Sequence, residues 1–157
     1  MSQKPYSGEA KRADEAMAWF ENVRGLLSAG GSVEFAPRGY SMWPTIRPGK
    51  DTVCLQASAG YKVSDIVLAA CDNPPLLVLH RIVRLLPDGA VLRGDSNLYQ
   101  TETCTFDGIA GRVTAISRDS RDVSSSVSTR LLAMFQRFPA LVRRPAVRIL
   151  NLWKNGI

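Results

Sequence analysis

Three turn signals, Pro48-Gly49, Asn73-Pro74-Pro75 and Pro87-Asp88-Gly89, cut the stretch from Val33 to Ile116 into short apolar or alternating segments. Segments of this kind, bounded by proline and glycine, suit strands better than helices. The pattern predicts strands at about 33–36, 51–56, 65–71, 76–85, 89–93 and 109–117. Pro87-Asp88-Gly89, set between Val83-Arg84-Leu85 and Ala90-Val91-Leu92, is a hairpin signal. Many short strands joined by tight turns predict a mainly β fold, a coiled antiparallel sheet or barrel.

A helix is expected ahead of the sheet. Over residues 9–28, Ala13, Ala16, Met17, Phe20, Val23 and Leu27 recur at helical spacing, and Gly30-Gly31 ends the pattern. One helix is too little for a helix-turn-helix, so the DNA-binding half of a transcription factor is not expected. At 157 residues the chain has the length of one domain with appendages. The expected division is an N-terminal helix over 1–30, a β domain over 31–117, a polar serine-rich linker over 118–128 and a basic amphipathic helical tail over 129–157.

Charge is unevenly distributed. Residues 1–120 carry 13 Lys+Arg against 13 Asp+Glu, and residues 121–157 carry seven against one, so the net charge of +6 belongs to the tail. A balanced body does not point to nucleic acid. In the tail, Leu131, Phe135, Phe138, Val142, Ile149 and Trp153 alternate with Arg130, Arg137, Arg143, Arg144, Arg148 and Lys154, interrupted by Pro139 and Pro145. Such a segment suits an anionic membrane surface, or else packs as a helix with its arginines in water. Cys54, Cys71 and Cys104 are odd in number and lack paired spacing, which argues against a disulfide framework and a zinc site; no cofactor or metal is expected. Without a long apolar run or an N-terminal signal core, the reading is a cytoplasmic chain whose tail is available to the inner membrane face.

The candidate chemistry lies in Arg38-Gly39-Tyr40-Ser41-Met42-Trp43-Pro44-Thr45-Ile46-Arg47-Pro48-Gly49-Lys50-Asp51, a turn-rich stretch between two predicted strands. Ser41 is placed at a strand end, where its hydroxyl can face a groove. Serine is a weak nucleophile and needs a base; the chain has one histidine, His80, within Leu76-Leu77-Val78-Leu79-His80-Arg81. Glycine and proline around a serine are ordinary turn chemistry. Further blocks accompany this one: Asp65-Ile66-Val67-Leu68 preceded by Ser64, His80-Arg81-Ile82-Val83, Leu92-Arg93-Gly94-Asp95-Ser96-Asn97 and Gly108-Ile109-Ala110-Gly111-Arg112-Val113.

Order and spacing of these blocks over roughly residues 35–117 resemble type I signal peptidases and the self-cleaving phage and SOS repressors, with Ser41-Met42-Trp43-Pro44 as the Ser-Met-x-Pro box. The resemblance implies a mostly β serine peptidase with a groove for an extended peptide. It implies Ser41 as nucleophile and His80 as general base, the histidine variant found in endoplasmic-reticulum and archaeal signal peptidases. Asp95, in the block similar to Gly-Asp-Asn, would orient His80. A second acidic residue is implied about six positions beyond Asp95, where this chain has Thr101; the adjacent Glu102 is the candidate to substitute for it. The serine that many signal peptidases carry two positions before the nucleophile is here Gly39, so the backbone N–H groups of Tyr40 and Ser41 are the expected oxyanion donors, with Gly39 allowing a tight turn. Gly39, Met42, Trp43 and Pro44 are expected to line the substrate groove. Lys62 is a rival base, but lies in a predicted solvated turn.

The expected function is therefore cleavage of a peptide or protein substrate, such as a leader segment. Two other functions share these residues. A peptide-binding module would capture an extended peptide by strand addition without cleaving it. A self-cleaving regulator would carry a scissile pair, for which Ala29-Gly30 and Ala59-Gly60 are candidates.

Overall fold

A computed structural model of the chain describes residues 6–72 and 75–123, so the tail expected over 129–157 and the Asn73-Pro74 turn lie outside the described residues. Helix α1 spans Tyr6–Ser28, and the strands are β1 Ser32–Phe35, β2 Asp51–Gln56, β3 Ile66–Asp72, β4 Pro75–Leu85, β5 Gly89–Arg93, β6 Glu102–Thr105, β7 Ile109–Arg118 and β8 Arg121–Asp122. All eight strands join one antiparallel sheet in the order β1-β2-β7-β3-β4-β5-β6, with β8 paired to β7. The fold is mainly β, as the strand pattern predicts. The sheet coils without closing: β6 comes to pack on β3, although β4 and β5 stand between them in the ladder.

Alternation along β3 explains why its sequence is apolar from Ile66 to Cys71. Val67, Ala69 and Cys71 face the inside of the coil, where they pack with Val78, Ile82, Ala90, Leu92, Cys104 and Ile109. Leu68 faces the other way, onto α1. A strand covered on both faces has no side left for polar residues.

Among the described side chains of α1, those in its last turns meet the sheet. Phe20, Val23 and Leu27 are buried against Leu55, Leu68 and Ala110, each side chain contributing roughly 1.5–3 kcal/mol. Ala13 and Met17, expected on the same buried face, are exposed. The helical spacing is there, but the packed face begins near Phe20. At the other end, Gly31 N–H donates to Leu26 O and Gly30 N–H to Leu27 O, with Gly30 at φ +84°, a Schellman closure that places Ala29-Gly30 in the helix cap.

Two elements depart from the expected boundaries. β6 is too short and polar on its outer side to read as a strand in sequence; its pattern is buried at Glu102 and Cys104 and exposed at Thr103 and Thr105. The predicted linker begins inside the sheet. Asp119 and Ser120 both take positive φ, forming the tight turn of a hairpin in which Arg118 faces Arg121, and Val123 N–H donates to Ile116 O. Among the described residues no helix is long and apolar enough to cross a membrane.

Candidate active site

The serine-bearing stretch is wound into successive turns: Trp43 N–H donates to Tyr40 O at 3.0 Å, and Ile46 N–H to Met42 O at 2.9 Å. Met42 and Ile46 pin it from below, buried with Val53, Ile66 and Ile116. A second clamp holds its far end. Asp51, fully buried, accepts from Arg47 N–H at 2.8 Å, Arg47 Nε at 3.0 Å and Arg118 at 2.6 and 3.0 Å. Burial works to raise the Asp51 pKa, but the hydrogen bonds from Arg118 and Arg47 together outweigh it and leave the carboxyl below its ordinary range.

The turn after β5 closes on the serine backbone. Ser96 N–H donates to Ser41 O at 2.9 Å, and Ser96 Oγ donates to Ser41 O and Tyr40 O at 3.1 and 3.0 Å. The backbones approach so closely that a Cβ on Gly94 would lie 2.6 Å from Ser41 O. Gly39 differs: its φ is outside the left-handed region and a Cβ there would meet nothing within 4 Å. The expectation that Gly39 is needed for a tight turn is thus corrected; the close approach belongs to Gly94.

Ser41 and His80 line one cavity of about 250 Å3. No hydrogen bond joins them among the described residues, although such bonds are commonly loose without substrate. Ser41 N–H likewise has no partner among the described residues, so it remains available as a donor. Gly39 and Met42 of the expected groove line the cavity; Trp43 and Pro44 do not, because the turns carry them past it. Tyr40 is half exposed, outside the lining. Lys62 is exposed in the turn before β3.

The carboxylate that meets His80 is not the expected one. His80 Nδ1 and Glu102 Oε2 are 2.8 Å apart, both side chains buried. With the carboxylate accepting, Nδ1 carries the proton and Nε2 keeps its lone pair. Asp95 instead takes a bidentate bond from Arg81, at 2.8 and 2.7 Å, and a hydrogen bond from Thr45 Oγ1. Strand alternation is the reason. His80 shares the inner face of β4 with Val78 and Ile82, and Glu102 faces inward from β6 beside Cys104; Arg81 points to the opposite face, where Asp95 lies. Asp95 therefore ties the serine stretch, through Thr45, to the strand that carries the histidine.

Sequence reading missed part of the site altogether. Trp19 of α1, Phe35 of β1 and Leu68, Leu77 and Leu79 of the sheet complete the cavity wall. Their only signal in the sequence is apolar periodicity, which core residues share.

No family model matches this chain, and no curated protein or solved structure is significantly similar to it.

Proposed function

We propose that the chain is a serine endopeptidase of the signal-peptidase type that cleaves an extended peptide or leader segment. The observation that carries this reading is the placement of Ser41 and His80 on one cavity, with the second ring nitrogen of His80 held by buried Glu102. In the proposed reaction Ser41 Oγ attacks the peptide carbonyl carbon and passes its proton to His80 Nε2. Glu102 stabilises the imidazolium, and the Ser41 and Tyr40 N–H groups are the proposed donors to the oxyanion. His80 then gives the proton to the leaving amine, and water, deprotonated by His80, releases the acyl group from Ser41.

The test is mass-spectrometric detection of products from a mixed peptide library, with wild type compared against Ser41→Ala. Wild-type products absent from the variant are expected; a Ser41→Ala protein that cleaves as wild type does would sink the reading.

A binding module is favoured by a different observation. Among the described residues β1 is an edge strand, and residues 76–80 of β4 pair with β3 on one side and have no ladder partner on the other, since β5 begins pairing at Arg81. Both segments adjoin the cavity, so an extended peptide could add as a strand there. Peptides retained by Ser41→Ala and by wild type alike, with no cleavage, would favour this second reading.

A further inference from the structure

One wall of the cavity beside Ser41 comes from outside the sheet. Trp19 sits at the point where α1 leaves the core: its neighbour Phe20 is 1 % exposed, whereas Trp19 is 38 % exposed. The anchored turns of the helix hold that ring in register with the sheet. It meets Phe35 edge to face, centroids 5.2 Å apart and planes at 78°. Pro37, Met42, Leu68, Leu77, Val78 and Leu79 make most of the remaining wall, so among the described residues polar groups enter the lining as Ser41, His80, exposed Arg38 and the Trp19 indole N–H.

Size and polarity limit what such a chamber admits. A dry apolar cavity of about 150 Å3 is enough for benzene, and this one measures about 250 Å3 while opening to the groove. A leucine, methionine or phenylalanine side chain fits. Lysine would lose water with no acidic side chain in the lining to receive it, and glutamate would meet only Arg38, which is exposed at the rim and already solvated; glycine or alanine would leave the walls unfilled.

We infer that Trp19 is the specificity-determining residue of the site, closing a pocket that takes a medium-sized apolar side chain of the substrate next to the bond that Ser41 attacks. This rests on the reading of Ser41 and His80 as the cleavage site, and it makes the substrate a peptide with leucine, methionine or phenylalanine at that position. Trp19 itself takes no part in the chemistry. Its removal enlarges the pocket, weakens binding of the preferred residues and admits tryptophan.

The probe is a library of acetylated, amidated decapeptides with Gly, Ala, Leu, Met, Phe, Trp, Lys or Glu at the central position and randomised flanks. Wild type, Ser41→Ala, Trp19→Ala, Trp19→Phe and the exposed-helix control Leu26→Ala are compared by mass spectrometry of products. Circular dichroism checks that each variant is folded, and the same peptides are tested for retention by Ser41→Ala and by the double variant Ser41→Ala/Trp19→Ala. Wild type and Leu26→Ala are expected to cut beside Leu, Met or Phe. Trp19→Ala should lose about tenfold or more in kcat/KM for these, mainly through KM, while cutting beside Trp appears; Trp19→Phe should fall between. Ser41-dependent cleavage with a preference unchanged in Trp19→Ala overturns the Trp19 assignment and leaves the peptidase reading standing. Absence of cleavage, with selective retention of the Leu, Met and Phe peptides that the double variant loses, overturns the peptidase reading and supports the pocket. Neither cleavage nor selective retention overturns both.

Discussion

Neighbouring residues His80 and Arg81 each meet a buried carboxylate, Glu102 in one case and Asp95 in the other, and the two acids should fail differently when changed. Glu102→Gln keeps the shape and a hydrogen-bonding group beside His80 but removes the charge that favours the imidazolium. On the proposed peptidase reading, turnover is expected to fall by roughly 10²- to 10⁴-fold with the unfolding midpoint little altered. Asp95→Ala strands the Arg81 guanidinium in a buried site and should cost about 3–5 kcal/mol in denaturant unfolding. Equal stability losses for the two variants would contradict this division of roles. Ser64 makes a separate residue-scale case. It stands at φ +85° with no side-chain hydrogen bond among the described residues, a conformation that costs a non-glycine residue about 1–2 kcal/mol. Ser64→Gly relieves that strain while losing some chain entropy, so a net stabilisation of about 0.5 kcal/mol is expected from chemical denaturation. The sequence already pointed to this position, since the block that resembles Gly-Asp-Val/Ile-Val carries serine there.

The serine stretch and the turn after β5 behave as one element made of two chain segments. Their contact is backbone on backbone, Ser96 N–H to Ser41 O, with Gly94 against the serine itself. A methyl group at Gly94 cannot be accommodated without moving one segment, so Gly94→Ala should lower the thermal midpoint and displace Ser41. Gly39→Ala meets open space at an ordinary φ, and should be neutral or slightly stabilising, by up to about 1 kcal/mol. Parallel melting curves of the two variants test the contrast; a Gly39→Ala protein as damaged as Gly94→Ala would refute it. This contact was only half legible in the sequence. Gly94-Asp95-Ser96-Asn97 reads as a turn from its residue types alone, but turn chemistry does not say which distant backbone the turn will touch.

Over the whole molecule, the Asp51 cluster joins the serine stretch, β2 and the end of β7, and it gives the fold an acid-sensitive joint. The folded-state pKa of Asp51 lies below its ordinary value of 3.8. Its contribution to stability is therefore complete above that value and lost as pH falls through the lower, folded-state value. Asp51→Asn should be less stable than wild type at neutral pH, and its stability should change less between about pH 5 and pH 2; identical acid-unfolding profiles would contradict the assignment. The sequence by itself determined the mainly β class, six of the strands within one or two residues, the helix before them, and the candidates Ser41 and His80. The class, the strands and the helix depend on local properties, namely side-chain alternation, turn-forming residues and helical spacing along a continuous segment, whereas Ser41 and His80 were singled out by the resemblance of their sequence blocks. Tertiary structure alone decided that Glu102 and not Asp95 meets His80, that residues 118–122 finish the sheet, and that Trp19 walls the cavity. Each of those outcomes follows from strand register and the coiling of the sheet, which bring together residues far apart in the chain and turn neighbours such as His80 and Arg81 to opposite faces.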